Sequence, residues 1–97
     1  MTDIFAWLEK WYKSQCDGEW EHEYGVKIHT LDNPGWTVII DLKYTKFEYL
    51  DVDYKLVENA EDDWYGFSVK EGIFNGAGDP SKLRLIIMKF KEIIDNK

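Results

Sequence analysis

Two stretches of helical period bracket a middle in which apolar residues alternate, and that order leaves few architectures open. In residues 3–15, Ile4, Trp7, Leu8 and Trp11 recur at i, i+3, i+4 and i+7, while Glu9, Lys10, Lys13 and Ser14 fall on the other side. The spacing predicts an N-terminal helix, with Thr2 or Asp3 as its cap and Gly18 at its exit. In the last stretch Leu83, Ile86, Ile87, Phe90 and Ile94 trace one face of a second helix, with Leu85 and Met88 off it. Asp79 and Pro80 read as its N-cap and first residue, because proline lacks the N–H that a first turn leaves unpaired.

Between the helices the period falls to two. The alternation predicts strands over residues 20–31, 36–43, 46–58 and 64–71. Asn33-Pro34-Gly35-Trp36 reads as a type II turn, with Pro34 fixing φ and Gly35 taking the positive φ. In the third strand Leu50, Val52, Tyr54 and Leu56 are expected on one face. Gly72 and the run Asn75–Gly78 read as turn and loop. The expectation is a single α+β domain over residues 1–97, ordered α-β-β-β-β-α. A four-stranded antiparallel meander would carry both helices on one face.

The chain has 97 residues, enough for one modest core, and 16 of them are Phe, Trp or Tyr. The net charge is −7, and it is uneven. Residues 80–97 hold five basic and two acidic side chains, against seven and seventeen in residues 1–79. An acidic body repels phosphate, which disfavours nucleic acid and anionic membrane as partners and favours a basic polypeptide. One cysteine permits no internal disulfide, and the sequence shows neither a basic leader nor a long apolar span. The expected location is the cytoplasm.

The chemistry-bearing residues crowd into Cys16-Asp17-Gly18-Glu19-Trp20-Glu21-His22-Glu23. Cys16, Asp17 and His22 would make a small enzyme or metal-binding domain if their side chains converged, but zinc-type ligand spacing and a nucleophile motif are both missing. No cofactor motif is present, and a non-enzyme is expected. The other reading takes tryptophans set beside acids as anchors for a basic protein surface. It selects Glu19, Trp20, Glu21, Glu23, Trp36, Glu61, Asp62, Asp63 and Trp64. Each of these tryptophans could instead cap the sheet core, an alternative that weighs most for Trp36. A third reading is an oligomerisation module using Leu85 and Met88.

The blocks Trp11-Tyr12, Cys16 through Gly25 and Thr30-Leu31-Asp32-Asn33-Pro34-Gly35-Trp36 resemble the immunity protein 53 family. Asp62-Asp63-Trp64, and Gly78-Asp79-Pro80 through Phe90, are similar to its C-terminal half. The resemblance implies a bacterial antitoxin of a polymorphic toxin system that binds a cognate toxin domain. A nuclease toxin with a basic cleft would suit the acidic residues, which would imitate phosphate. For any other toxin, the basic C-terminal helix is the alternative docking surface.

Overall fold

The computed structural model describes residues 3–96. Its elements are α1 (Ile4–Gln15), α2 (Trp20–Glu23), β1 (Val26–Leu31), β2 (Gly35–Asp41), β3 (Val52–Ala60), β4 (Asp63–Lys70), β5 (Ile73–Gly78) and α3 (Leu83–Asp95). Asp3 caps α1: its carboxylate accepts from the N–H of Phe5 at 3.0 Å and of Ala6 at 3.4 Å. Thr2, the other candidate cap, lies outside the described residues.

The strands form one antiparallel sheet of five in the order β1-β2-β5-β4-β3. This corrects the four-stranded meander. β5 runs through residues read from the sequence as a loop, and it inserts between β2 and β4. Its glycines have a packing reason. A Cβ on Gly76 would sit 2.5 Å from Ile86 Cγ2 and 3.1 Å from Phe74, and one on Gly78 would sit 2.8 Å from Lys82 Cβ. The strand gives up β-formers so that α3 can lie against it. The β4–β5 hairpin turns on Glu71 and Gly72, both with positive φ (52° and 78°), as a type I′ turn requires.

Three further expectations are corrected. Residues 20–23 form a helical turn, so the first strand begins only at Val26. Residues 43–49 form turns and a bend that bury Phe47, and β3 starts at Val52. The Asn33–Pro34 peptide is cis and Gly35 has no positive φ, so the turn is not type II. Gly35 is needed for another reason: the Gly78 carbonyl oxygen stands where its Cβ would be.

β3 also changes face midway. The register shifts between Val52 and Lys55, so Lys55 pairs with Phe67 and Val57 with Tyr65. Such a bulge turns every later side chain over. Val52 packs against the core, whereas Tyr54 and Leu56 are exposed. The Tyr54 hydroxyl lies over Gly66.

Helix α3 lies across β2, β5 and β4, and α1 packs beside α3. The core joins Ile4, Leu8 and Trp11 of α1 to Val38, Ile40, Val69 and Phe74 of the sheet and to Ile86, Ile87 and Phe90 of α3. Phe90 is the hub, with its ring 5.0 Å from those of Trp11 and Phe74 and 5.9 Å from that of Trp7.

Gly76→Ala is expected to lower stability by about 2 kcal/mol, because Ile86 and Phe74 are both buried and cannot give way. Thermal unfolding checks this. An unchanged midpoint would mean that α3 does not press on β5 as described.

Candidate functional site

The nine acidic and aromatic residues singled out in the sequence fall into two groups at opposite ends of β2. That strand has seven residues and spans about 20 Å. Trp20, just before β1, donates its indole N–H to the Lys43 carbonyl past the far end of β2 at 2.9 Å. Trp36 opens β2 at the other end and donates its indole N–H to the Pro80 carbonyl at 3.0 Å.

At the α2 end, local hydrogen bonding uses most of the chemistry. The Asp17 carboxylate accepts from the N–H of Glu19 and Trp20, both at 2.9 Å. The Glu21 carboxylate reaches back to the N–H of Asp17 and Gly18 at 3.0 and 2.9 Å. These reciprocal bonds close the loop between α1 and α2; the N-cap position of α2, Glu19, makes no side-chain cap bond. The N–H groups of Trp20 and Glu19 hold the Asp17 carboxyl below its ordinary value. Glu21 is also lowered, by its own backbone N–H and then by those of Asp17 and Gly18, against a burial that raises it.

Trp20 is 4% exposed, packed at 6.3 Å between the rings of Trp11 and Tyr24. It is a core residue and offers no anchor surface. Glu19 and Glu23 remain at the rim of a shallow pocket of about 350 Å³ with Tyr24 and Tyr44. The Cys16 thiol donates to the Tyr12 carbonyl at 3.4 Å. Among the described residues no three His, Cys, Asp or Glu side chains gather as metal ligands. Cys16, Asp17 and His22 therefore do not meet as a metal-ligand group.

At the other end, three loops converge: the β1–β2 turn, the β3–β4 turn and the β5–α3 connection. They enclose a pocket of about 590 Å³ lined by Asn33, Pro34, Glu58, Glu61, Asp62, Trp64, Asp79 and Pro80. Glu61 and Asp62 form the tip of the β3–β4 turn, and Trp64 is half-buried below it. Glu58 was missed by the sequence reading. It stands directly across the hairpin from Trp64, a pairing visible only once the acidic turn is centred on residues 61–62.

One buried carboxylate ties this end together. Asp79 is 2% exposed. It accepts from the Trp64 N–H at 2.9 Å, the Ser81 N–H at 2.8 Å, the Ser81 hydroxyl at 2.6 Å and Lys82 Nζ at 2.8 Å. Burial alone would raise its carboxyl. The hydrogen bonds from Lys82, Ser81 and Trp64 outweigh that and hold it far below the usual carboxylate range. Asp79 therefore does not cap α3 as expected; it fastens the β5–α3 loop to the start of β4, and the helix begins at Leu83.

Lys82 also pairs with Asp63 at 2.7 Å, and hydrogen bonds to Asp63 and Asp79 raise its pKa. Asp63 is thus matched internally, while Glu58, Glu61 and Asp62 are not in the ion pairs of the described residues.

The basic C-terminal helix is similarly occupied. Arg84 lies over Phe5, Lys89 over Tyr65 and Lys91 over Trp7, at 4.9, 5.9 and 5.7 Å from the ring centres. Met88 on α3 is exposed and Leu85 half-buried. Among the described residues no helix is long and apolar enough to cross a membrane.

No curated protein and no solved structure matches the chain. The family described as immunity protein 53 matches residues 5–95, which include α2, the whole sheet and the pocket between its loops. A match over that span settles the family: the chain belongs to the immunity protein 53 family.

Proposed function

We propose that this protein neutralises a cognate toxin domain of a bacterial polymorphic toxin system, in the cytoplasm of the cell that makes it. It acts by binding and carries out no bond chemistry. The surface it uses is the acidic, aromatic end of the sheet. What supports this reading is the convergence of Glu58, Glu61, Asp62 and Trp64 on one open pocket, in a member of an immunity protein family.

Three carboxylates with no ion pair among the described residues attract a basic surface, and a half-buried indole beside them supplies apolar area that a partner can cover. Trp36 supports this surface from inside through Pro80. Glu19 and Glu23 extend the negative field from the far end. Trp20, Glu21 and Asp63 serve the fold. A nuclease with a basic substrate cleft is the toxin type that this charge suits best.

The test uses the toxin domain encoded in the neighbouring reading frame. Co-expression with the immunity protein is expected to restore growth, and the purified pair is expected to form a complex. Trp64→Ala is expected to weaken that complex about 30-fold, the loss typical of a central aromatic anchor. A complex that tolerates Trp64→Ala without loss would move the interface elsewhere. No complex and no growth protection would overturn the function itself.

A further inference from the structure

The sheet has two edges, β1 and β3. β3 is the longer, at nine residues, and it is exposed along almost its whole length. Tyr54 and Leu56 are 62% and 51% exposed, and Val57 is 38% exposed.

The direction of its backbone groups follows from β4. Trp64 turns both backbone groups toward Asp79: its N–H donates to the carboxylate at 2.9 Å, and its C=O accepts from the Asp79 N–H at 3.1 Å. Backbone groups alternate along a strand, so Tyr65 and Phe67 bond the other way, to β3. Their partners Val57 and Lys55 therefore bond inward. Leu56 and Glu58 are left with N–H and C=O facing out from the sheet. An apolar groove of about 470 Å³ runs beneath this edge, between β3 and α3, with Val57, Tyr65 and Phe67 as its floor and Lys89 and Ile93 on its helix side.

Resting on the reading that the toxin docks at the acidic end, we infer that an extended segment of the toxin adds to β3 as a sixth strand. Its backbone pairs with Leu56 and Glu58, and every second side chain, apolar, lies over the groove. It is basic where it leaves the strand and meets Glu58, Glu61 and Asp62. Glu58 belongs to both the free edge and the acidic pocket, so strand and pocket form one continuous surface.

Charge and register select a toxin strand over a second copy of this chain. An antiparallel copy would set the acidic turn after Glu58 against Asp51 and Asp53 at the other end of the same edge, on a protein of net charge −7. The register shifts between Val52 and Lys55 and between Glu58 and Ala60 leave only Lys55–Glu58 regular, and interrupted edges of this kind oppose self-pairing. A partner strand of matched length needs only that regular stretch.

Hydrogen exchange on the complex with the toxin domain tests this directly. The Leu56 and Glu58 amides are expected to exchange fast in the free protein and about 100-fold more slowly in the complex. Lys55 and Val57 are expected to exchange slowly in both. Leu56→Pro removes one outward donor at an edge position that tolerates proline, and it is expected to weaken binding about tenfold. Leu56→Ala keeps the N–H and is expected to bind like the wild type.

A complex with unchanged Leu56 and Glu58 exchange, or one indifferent to Leu56→Pro, overturns strand addition and leaves docking at the acidic end standing. New protection on β1 instead also overturns it. A dimer of the immunity protein alone, dissolved by Leu56→Pro, assigns the edge to a second copy and overturns it. Absence of any complex removes this inference together with the function it rests on.

Discussion

Asp79→Ala is expected to destabilise the protein by about 3 kcal/mol at pH 7, the scale for removing one partner from a buried, hydrogen-bonded ion pair. For a domain of this length that lowers the thermal midpoint by on the order of 12–24 °C. The substitution strands the Trp64 and Ser81 N–H groups and leaves Lys82 with Asp63 alone. Both ends of the pocket loosen together, because Asp79 is what joins the β5–α3 loop to β4.

The pH dependence has a definite sign. The folded-state pKa of Asp79 lies far below the ordinary carboxylate value of about 4. Its stabilisation is fully present above that value and is lost as pH falls below it, toward the folded-state pKa. Urea unfolding at pH 7, 5 and 3 is therefore expected to show a wide gap between wild type and Asp79→Ala at pH 7 and 5, narrowing at pH 3. A gap that is small at neutral pH, or constant through acid, would mean that the network does not fasten this end.

The sequence made both long helices legible, because Ile4, Leu8 and Trp11, and Ile86, Ile87 and Phe90, each hold a helical period that matches the faces they bury. β2 was legible from its period of two, with Val38 and Ile40 turned to the core. β5 was hidden because tertiary packing overrode propensity. Gly76 and Gly78 look like loop residues until α3 is seen to need their missing side chains. Trp20 through Glu23 alternates like a strand, yet the Asp17 and Glu21 carboxylates bond the backbone N–H groups of the preceding loop and close it into a turn.

The face of β3 could not be read past Val52, since a bulge leaves no mark in the pattern and inverts everything after it.

Of the candidate site, the grouping of residues was half legible. Glu61, Asp62 and Trp64 are neighbours in sequence as in space, and they were found together. The sequence reading grouped them with Glu19, Trp20, Glu21 and Glu23, and the structure separates these by the length of β2. Distance along an antiparallel sheet depends on which end each hairpin turns at, and that is fixed by strand order. Asp63 and Asp79 looked like further surface charge and a helix cap. Their actual roles required a lysine whose position depends on how α3 packs.

The central claim is that the acidic end of the sheet captures a basic toxin. It is tested most directly by the association rate of the toxin domain with the Glu58→Gln, Glu61→Gln, Asp62→Asn triple variant, measured across salt concentrations. These three carboxylates have no ion pairs among the described residues, so neutralising them removes attraction without breaking the internal network. Steering by opposite fields accelerates encounter by about 10- to 1,000-fold and fades as salt rises. The account predicts that the triple variant associates about 100-fold more slowly at low ionic strength, with the difference closing at high salt and dissociation changing less. Equal association rates at low salt, for a variant that remains folded, would contradict it.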